Sequence, residues 1–289
     1  MITPVSLAFW HNFSYIRAKP LSMKRIVLSL FIFINISFKP VVTQHLNNGE
    51  NAAAIDLQNK AFKKGELLKY RIHYGFIDAG EATIEIKEEE HNIGGKNAFH
   101  VLGLGYSKNT FDWFFRVRDR YETYIDPEAM APLVFIRRVD EGGYIINQNM
   151  VFNHEKKKVD SDGKIFDIPE NVQDMISAFY YARCIDFSNA KTGDIFTIPS
   201  FVDNEYFPLQ IKFVGRESIK SDIGKIKCLK FRPVLQKGRI FKNEEDLKVW
   251  ISDDGNRIPI RAQADILFGS LKIDLSDYKG LANKMALTD

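Results

Sequence analysis

Along most of the chain, apolar residues recur at every second position, the period of a half-buried β-strand. Leu68, Tyr70, Ile72 and Tyr74 share one face of the run Leu67 to Tyr74. Ala82, Ile84 and Ile86 share one face of Glu81 to Lys87, with Glu81, Thr83, Glu85 and Lys87 opposite. Gly75 and Gly80 bracket the connection between these runs, where positive φ or a close backbone approach is expected. Further strands are predicted over Asn97 to Gly105, Val117 to Ile125, Pro132 to Asp140, Tyr144 to His154, Asp194 to Val202, Tyr206 to Ser218 and Gly224 to Val234. Leu247 to Tyr278 then forms a meander of three runs that reverse at Asp253-Asp254-Gly255-Asn256 and at Gly269-Ser270.

Two stretches depart from alternation. Val172, Met175, Ile176 and Phe179 recur at i, i+3, i+4 and i+7, which predicts a helix over Val172 to Arg183. Pro169 and Asn171 mark its start, and Asp174 lies in its first turn. Ser107 to Phe115 crowds Phe111, Trp113, Phe114 and Phe115 together and reads as a short helix begun by Ser107 or Asn109. No linker rich in proline, glycine or serine divides the chain. The expected fold is therefore mainly β, a single strongly curved antiparallel sheet forming an open or half barrel, with one central helix packed on its concave face.

The N-terminus follows a different pattern. Met23-Lys24-Arg25 precedes the apolar run Ile26 to Ile36, which is followed by the polar stretch Ser37 to Gln44. A run of this length falls short of the roughly 20 residues that span a bilayer and reads as a signal peptide. Residues 1–43 are thus expected to be an extension plus signal peptide with its start at Met23, 44–66 a solvated lead-in, and 67–280 one β-rich domain. No cysteine follows the apolar run closely, so a lipid anchor is not indicated, and no transmembrane span is expected in the mature chain.

Charge and cysteine content narrow the function classes. The 289-residue chain carries 40 Lys and Arg against 37 Asp and Glu, and five of the basic residues lie in 1–43. The remainder, 35 against 37, lacks the basic surface that nucleic acid requires, so nucleic acid is not an expected partner. Export permits a disulfide between Cys184 and Cys228, and two buried thiols are the other reading.

Candidate chemistry is sparse. The histidines form no close ligand pair, the sequence holds neither a Gly-x-Ser-x-Gly elbow nor a phosphate loop, and Asp253 to Asn256 lacks the spacing of a calcium loop. No metal or cofactor is expected. Asp78, Glu81, Asp119 and Glu122 lie near strand ends, and paired carboxylates could act on a glycosidic bond. Their alternation with arginines equally fits cross-strand charge pairs on a solvated face. Phe111, Trp113, Phe114 and Phe115 either join the core or line the mouth of an apolar site, where Arg116, Arg118 and Arg120 could meet an anionic head group.

Several phrases in order resemble an exported bacterial family known as domain of unknown function 3108. They are Gly65 to Tyr70 leading to Tyr74-Gly75, Ala79 to Ala82, Val117 to Arg120 with Ile125-Asp126, the helix Asp174 to Arg183, and Trp250 to Ser252 with Arg257 to Ile260. The resemblance implies a β-rich protein of a Gram-negative envelope, in the periplasm or at the outer-membrane periphery, and carries no catalytic residues. The expected function is binding of an apolar or amphipathic, lipid-like ligand in the curved sheet. A glycan-active enzyme and a structural envelope component are the alternatives.

Overall fold

The computed structural model describes residues 58–234, 246–266 and 269–288. The signal peptide expected in residues 1–43 and the polar loop Gln236 to Glu245 lie outside them, as does most of the lead-in. Sixteen strands form one antiparallel sheet. In chain order they are β1 (Leu67–Tyr74), β2 (Ile77–Ile86), β3 (His91–Ile93), β4 (Lys96–Ser107), β5 (Val117–Asp126), β6 (Ala131–Glu141), β7 (Tyr144–Asn153), β8 (Lys158–Ser161) and β9 (Lys164–Asp167), then β10 (Ile195–Val202), β11 (Glu205–Ser221), β12 (Gly224–Pro233), β13 (Leu247–Ser252), β14 (Pro259–Ile266), β15 (Gly269–Lys279) and β16 (Leu287–Thr288). Two helices interrupt them, α1 (Asn109–Asp112) and α2 (Ser177–Cys184). Spatially the sheet runs β10-β11-β12-β13-β14-β15-β1-β2-β4-β5-β6-β7-β8-β9, so the first and last long strands meet in the middle and β9 and β10 are its two edges.

Register defines one inner face. Residues paired across an antiparallel ladder point to the same side. One rung runs Phe213, Phe231, Val249, Ala262, Ile273, Ile72, Gly80 and Ser107. A neighbouring rung runs Leu68, Ile84, Gly103, Tyr121, Arg137 and Gln148. Helix α2 occupies this side. Ile176 just before it fills the space that the missing side chain of Gly103 leaves, with its Cδ1 3.4 Å from where a Cβ would stand. Ala178 and Tyr181 pack on Phe213, Leu229 and Phe231, and Phe187 meets Phe231 with ring centroids 4.9 Å apart. The strands alternate because one face is sealed by this helix and core while the other is wet.

The helix is shorter than its periodicity predicts. Asp174 caps it, its Oδ1 accepting from the N–H groups of Ile176 and Ser177 at 2.7 and 2.8 Å, and Ser177 Oγ accepts from the N–H of Asp174 in return. Upstream, Gln173 lies extended because its main chain bonds to β10, giving its N–H to Pro199 and taking one from Phe201. Val172 and Met175 are nevertheless buried, so their spacing reflects a shared core rather than a helix. Two further departures have local causes. The hairpin β8–β9 was not expected, although Asp162-Gly163 with φ of 50° and 84° is a turn pair suited to it. The lead-in is not wholly solvated, since Ala61, Phe62 and Glu66 are buried.

Candidate functional site

Strands β1, β4 and β6 end on the same side of the sheet, so three neighbouring connections form part of its rim. The α1 segment is tied to both neighbours: the Lys108 N–H bonds to Ala79 O at 2.9 Å, and that of Gly142 to Arg116 O at 2.7 Å. Gly142 has φ of 58°, and a Cβ there would stand 2.6 Å from the Phe115 ring, so only glycine lets this turn close on the aromatic segment. The aromatic cluster divides. Phe111 and Phe115 are buried and anchor the segment, whereas Trp113 is 83% exposed and Phe114 is also exposed. Phe76, Ile77, Tyr144 and Ile145 on the adjoining turns are exposed too. This rim therefore holds several large apolar side chains in water on adjoining connections.

Beside it lies an open groove of about 560 Å³, lined by Tyr106, Ser107, Lys108, Asn109 and Arg118. Lys108 Nζ reaches Asp78 at 2.6 Å and Glu81 at 3.1 Å, and the Tyr106 hydroxyl donates to Glu81 at 2.8 Å. Burial pushes Asp78 up, but Lys108 and Arg71 outweigh it and hold the carboxyl below its ordinary range. Tyr106 and Lys108 hold Glu81 low as well. Arg118 clasps Asp112 at 2.5 Å and Arg116 pairs with Asp140 at 3.0 Å. The groove thus offers two cations, each balanced by acids at its edge.

The four candidate carboxylates do not meet in one cleft. Glu81 and Glu122 share the outer face in register, while Asp119 points to the inner one. Glu122 is bound by Arg120 Nε at 2.8 Å and His100 Nε2 at 2.7 Å, an outer-face charge cluster. Asp119 instead has an inner-face neighbour the sequence reading passed over, Glu141, with Arg137 and Tyr121 beside them. Burial raises both carboxyls, and the charge of Asp119 raises Glu141 further. Burial beside a like charge therefore makes the pair hold a shared proton to higher pH than an isolated carboxyl does. Because the shift is upward, the folded state holds a proton that an unfolded carboxyl gives up near pH 4 (about). That stabilisation is complete below this pH and is lost as pH rises through the folded pair's titration. Glu141→Gln removes one member of the pair. Its advantage in stability over the native protein is expected to grow by about 1.4 kcal/mol or more between roughly pH 5 and pH 9. Urea titrations across that range check it, and a constant difference would contradict the shared proton.

The bridge weighed between Cys184 and Cys228 is not formed in the structure: both are buried free thiols. Burial pushes Cys184 up to about 11 and Cys228 up to about 12, which keeps them protonated and unreactive. Among the described residues no cluster of His, Cys, Asp and Glu has the arrangement of a metal site.

The inner face is not uniformly filled. Around α2 its side chains are fully buried, but Val249, Ala262 and Ile273, on the same rung as buried Phe231, stay partly exposed, as do Ala82 and Ile84. An open, barrel-like antiparallel sheet, plugged by one helix and edged by an apolar rim, is the class of protein these features define. The chain belongs to the protein family of unknown function DUF3108, which matches it over residues 69–276. A β-barrel-like protein of the domain of unknown function DUF1849 from Brucella abortus shares the fold, with a TM-score of 0.50 and 8% identity over 76% of this chain and 99% of that one. The hypothetical protein CT021 of Chlamydia trachomatis matches more loosely, with a TM-score of 0.36 and 10% identity over 81% of this chain and 96% of its own. No curated protein matches the chain in sequence.

Proposed function

We propose that this protein binds an amphipathic, lipid-like molecule of the bacterial envelope, after export of the chain from the cytoplasm. The apolar part lies against the half-covered inner wall of Val249, Ala262 and Ile273, and the polar head sits at the rim. One observation carries the reading: Phe76, Ile77, Trp113, Phe114, Tyr144 and Ile145 are all exposed on three adjoining connections. The groove with Lys108 and Arg118 opens on the outer face in register with Glu81, so a ligand apolar at one end and anionic at the other would cross the rim, past these exposed apolar side chains, from the inner wall to those cations. The inner face keeps α2 as a floor, so the site is the upper wall and rim rather than the whole cup.

The test uses lysophosphatidylglycerol below its micelle-forming concentration. Binding is expected to shift Trp113 emission to the blue, because its exposed indole enters an apolar contact, and Trp113→Phe is expected to remove that signal. Phe76→Ser/Phe114→Ser/Ile145→Ser should weaken binding at least about tenfold, or about 1.4 kcal/mol, with the unfolding midpoint nearly unchanged because the three side chains are exposed. Equal affinity in that variant, measured by calorimetry, would reject the rim. Lysophosphatidylcholine is expected to bind more weakly if the groove reads the anionic head. Native mass spectrometry of the protein from envelope fractions should retain a lipid.

A further inference from the structure

β9 and β10 are not joined by a backbone ladder. The tip of the β10–β11 hairpin instead reaches across the open side and docks on the inner face of the opposite half. Asp203 and Asn204 form that tip with φ of 52° and 67°. Arg137 Nη1 donates to Asp203 Oδ1 at 2.7 Å, and Gln148 Nε2 donates to Asn204 Oδ1 at 3.1 Å and to Ser161 Oγ at the same distance. Behind them Phe201 meets Phe166 of β9, ring centroids 5.6 Å apart. Arg137, Gln148 and Phe166 all stand on the inner face in register.

These contacts differ in kind from those elsewhere in the sheet. Every other long neighbour is held by a ladder of main-chain hydrogen bonds, eight residue pairs in β10–β11 alone. At the tip the bonds are between side chains, and the Asp203 carboxylate is 40% exposed while Arg137 is 1% exposed. Water reaches the Asp203 end of this bond, whereas Arg137, buried over the Tyr121 ring at 6.0 Å, is left with an uncompensated charge until water follows it, so release is infrequent but local. One firmer attachment remains, where Gln173 just before α2 makes two main-chain hydrogen bonds with β10, at 2.7 and 2.8 Å. The hairpin is therefore held at its base by the β11–β12 ladder, near its end by the two Gln173 hydrogen bonds to Pro199 and Phe201, and at the tip itself by side chains.

We propose that the Asp203-Asn204 tip is a latch: its release, followed by parting of the two Gln173 hydrogen bonds just behind it, lets the hairpin swing about its base in the β11–β12 ladder and opens the cup sideways, between β9 and β10, for the apolar part of the ligand. The inference rests on the ligand reading above and adds the route. Leu209 and Ile211 of the moving hairpin pack partly buried against the aromatic core. Release of the tip thus uncovers part of the apolar surface that the hairpin covers beside the aromatic core.

Two measurements test the latch, and one needs no ligand. In lipid-free protein, Asp203→Ala is expected to speed amide exchange in β9, β10 and the first half of β11 at least tenfold, with β1 and β15 unchanged. Unchanged exchange at the edges, or equal acceleration throughout the sheet, overturns the latch. Gln148→Cys/Asn204→Cys joined by a reductant-cleavable bis-maleimide then locks the tip, the two native thiols being buried. Uptake of lysophosphatidylglycerol, followed by stopped-flow Trp113 emission, is expected to slow at least tenfold and to recover on cleavage. Uptake at the same rate locked and cleaved overturns lateral opening and leaves the rim as the route. Absence of lysolipid binding by the native protein rejects the ligand reading instead, and the exchange result still decides the latch.

Discussion

Replacing Arg183 with methionine is expected to destabilise the protein by about 3–5 kcal/mol, as breaking one side of a buried ion pair does. Arg183 is 2% exposed and Glu66 is fully buried. The pair is bidentate, with Nη1 and Nη2 giving hydrogen bonds to the two carboxylate oxygens at 2.6 and 2.7 Å. Nε donates to Asn256 O at 2.9 Å and Nη2 also to Ala61 O at 3.1 Å. The guanidinium lies over the rings of Phe62, Phe179 and Tyr180 at 5.2, 5.6 and 5.2 Å. One side chain thus ties the segment before β1, the helix, and the β13–β14 turn together. Its removal strands the Glu66 charge among aromatic rings and leaves two carbonyls without a donor. Arg183→Lys should fail too, because an ammonium cannot fork to both oxygens. The double variant Arg183→Met/Glu66→Leu should recover part of the loss, since a buried pair is costly to desolvate. Equilibrium urea unfolding of the singles and the double decides the matter. A loss below about 1 kcal/mol in Arg183→Met would mean that solvent reaches the site.

Phe231→Ala is the second large effect, with an expected loss of about 3–5 kcal/mol. Phe231 is 2% exposed and touches three other rings, Phe187, Phe213 and Phe196, with centroids at 4.9, 5.4 and 6.3 Å. The neighbours belong to β10, β11 and the segment after α2, so they cannot all move inward to fill the gap. Part of the cost is therefore an unrelaxed cavity under the helix. Trp113→Ala supplies the contrast: the ring is as large, but it stands in water, and a change within about 0.5 kcal/mol is expected. Thermal unfolding of the two variants side by side separates buried from exposed aromatic area. Similar midpoints for both would mean that the aromatic cluster does not carry the core.

The strands were legible because alternation reports a sheet with one dry face, and the turns at Gly142-Gly143 and Asp253 to Asn256 because those residues carry their own backbone chemistry, whereas the Asp162-Gly163 pair was passed over. Periodicity could not distinguish the Val172 stretch from a helix, because burial of Val172 against the core and the use of Gln173 by β10 are decided by residues far along the chain. The aromatic run divided for the same reason: Phe111 and Phe115 found neighbours on other elements, and Trp113 and Phe114 did not. The charged inner-face groups left a readable sign that was missed. Asp119 lies midway between Val117 and Tyr121, on the apolar parity of its strand, and Arg137 shares parity with Phe135 and Val139. Arg183 likewise stands four residues after Phe179 on the buried stripe of α2. A charge at an apolar position asks for a partner, but sequence does not show where across the sheet that partner stands.

The placement of β1 beside β15 governs how the molecule assembles. Lys69 bonds to Asp277, 208 positions further along the chain. The central seam of the sheet therefore cannot form until nearly the whole polypeptide is present, and closing so long a loop is slow relative to hairpin formation. The two series of hairpins, β2 to β9 and β10 to β15, are local and can form early, each with one side of its sheet unpaired. Joining β1 to β15 is then the late step that merges them. A chain emerging from its N-terminus therefore carries an unpaired β1 edge until β15 is present, a longer exposure than any hairpin strand of the sheet has.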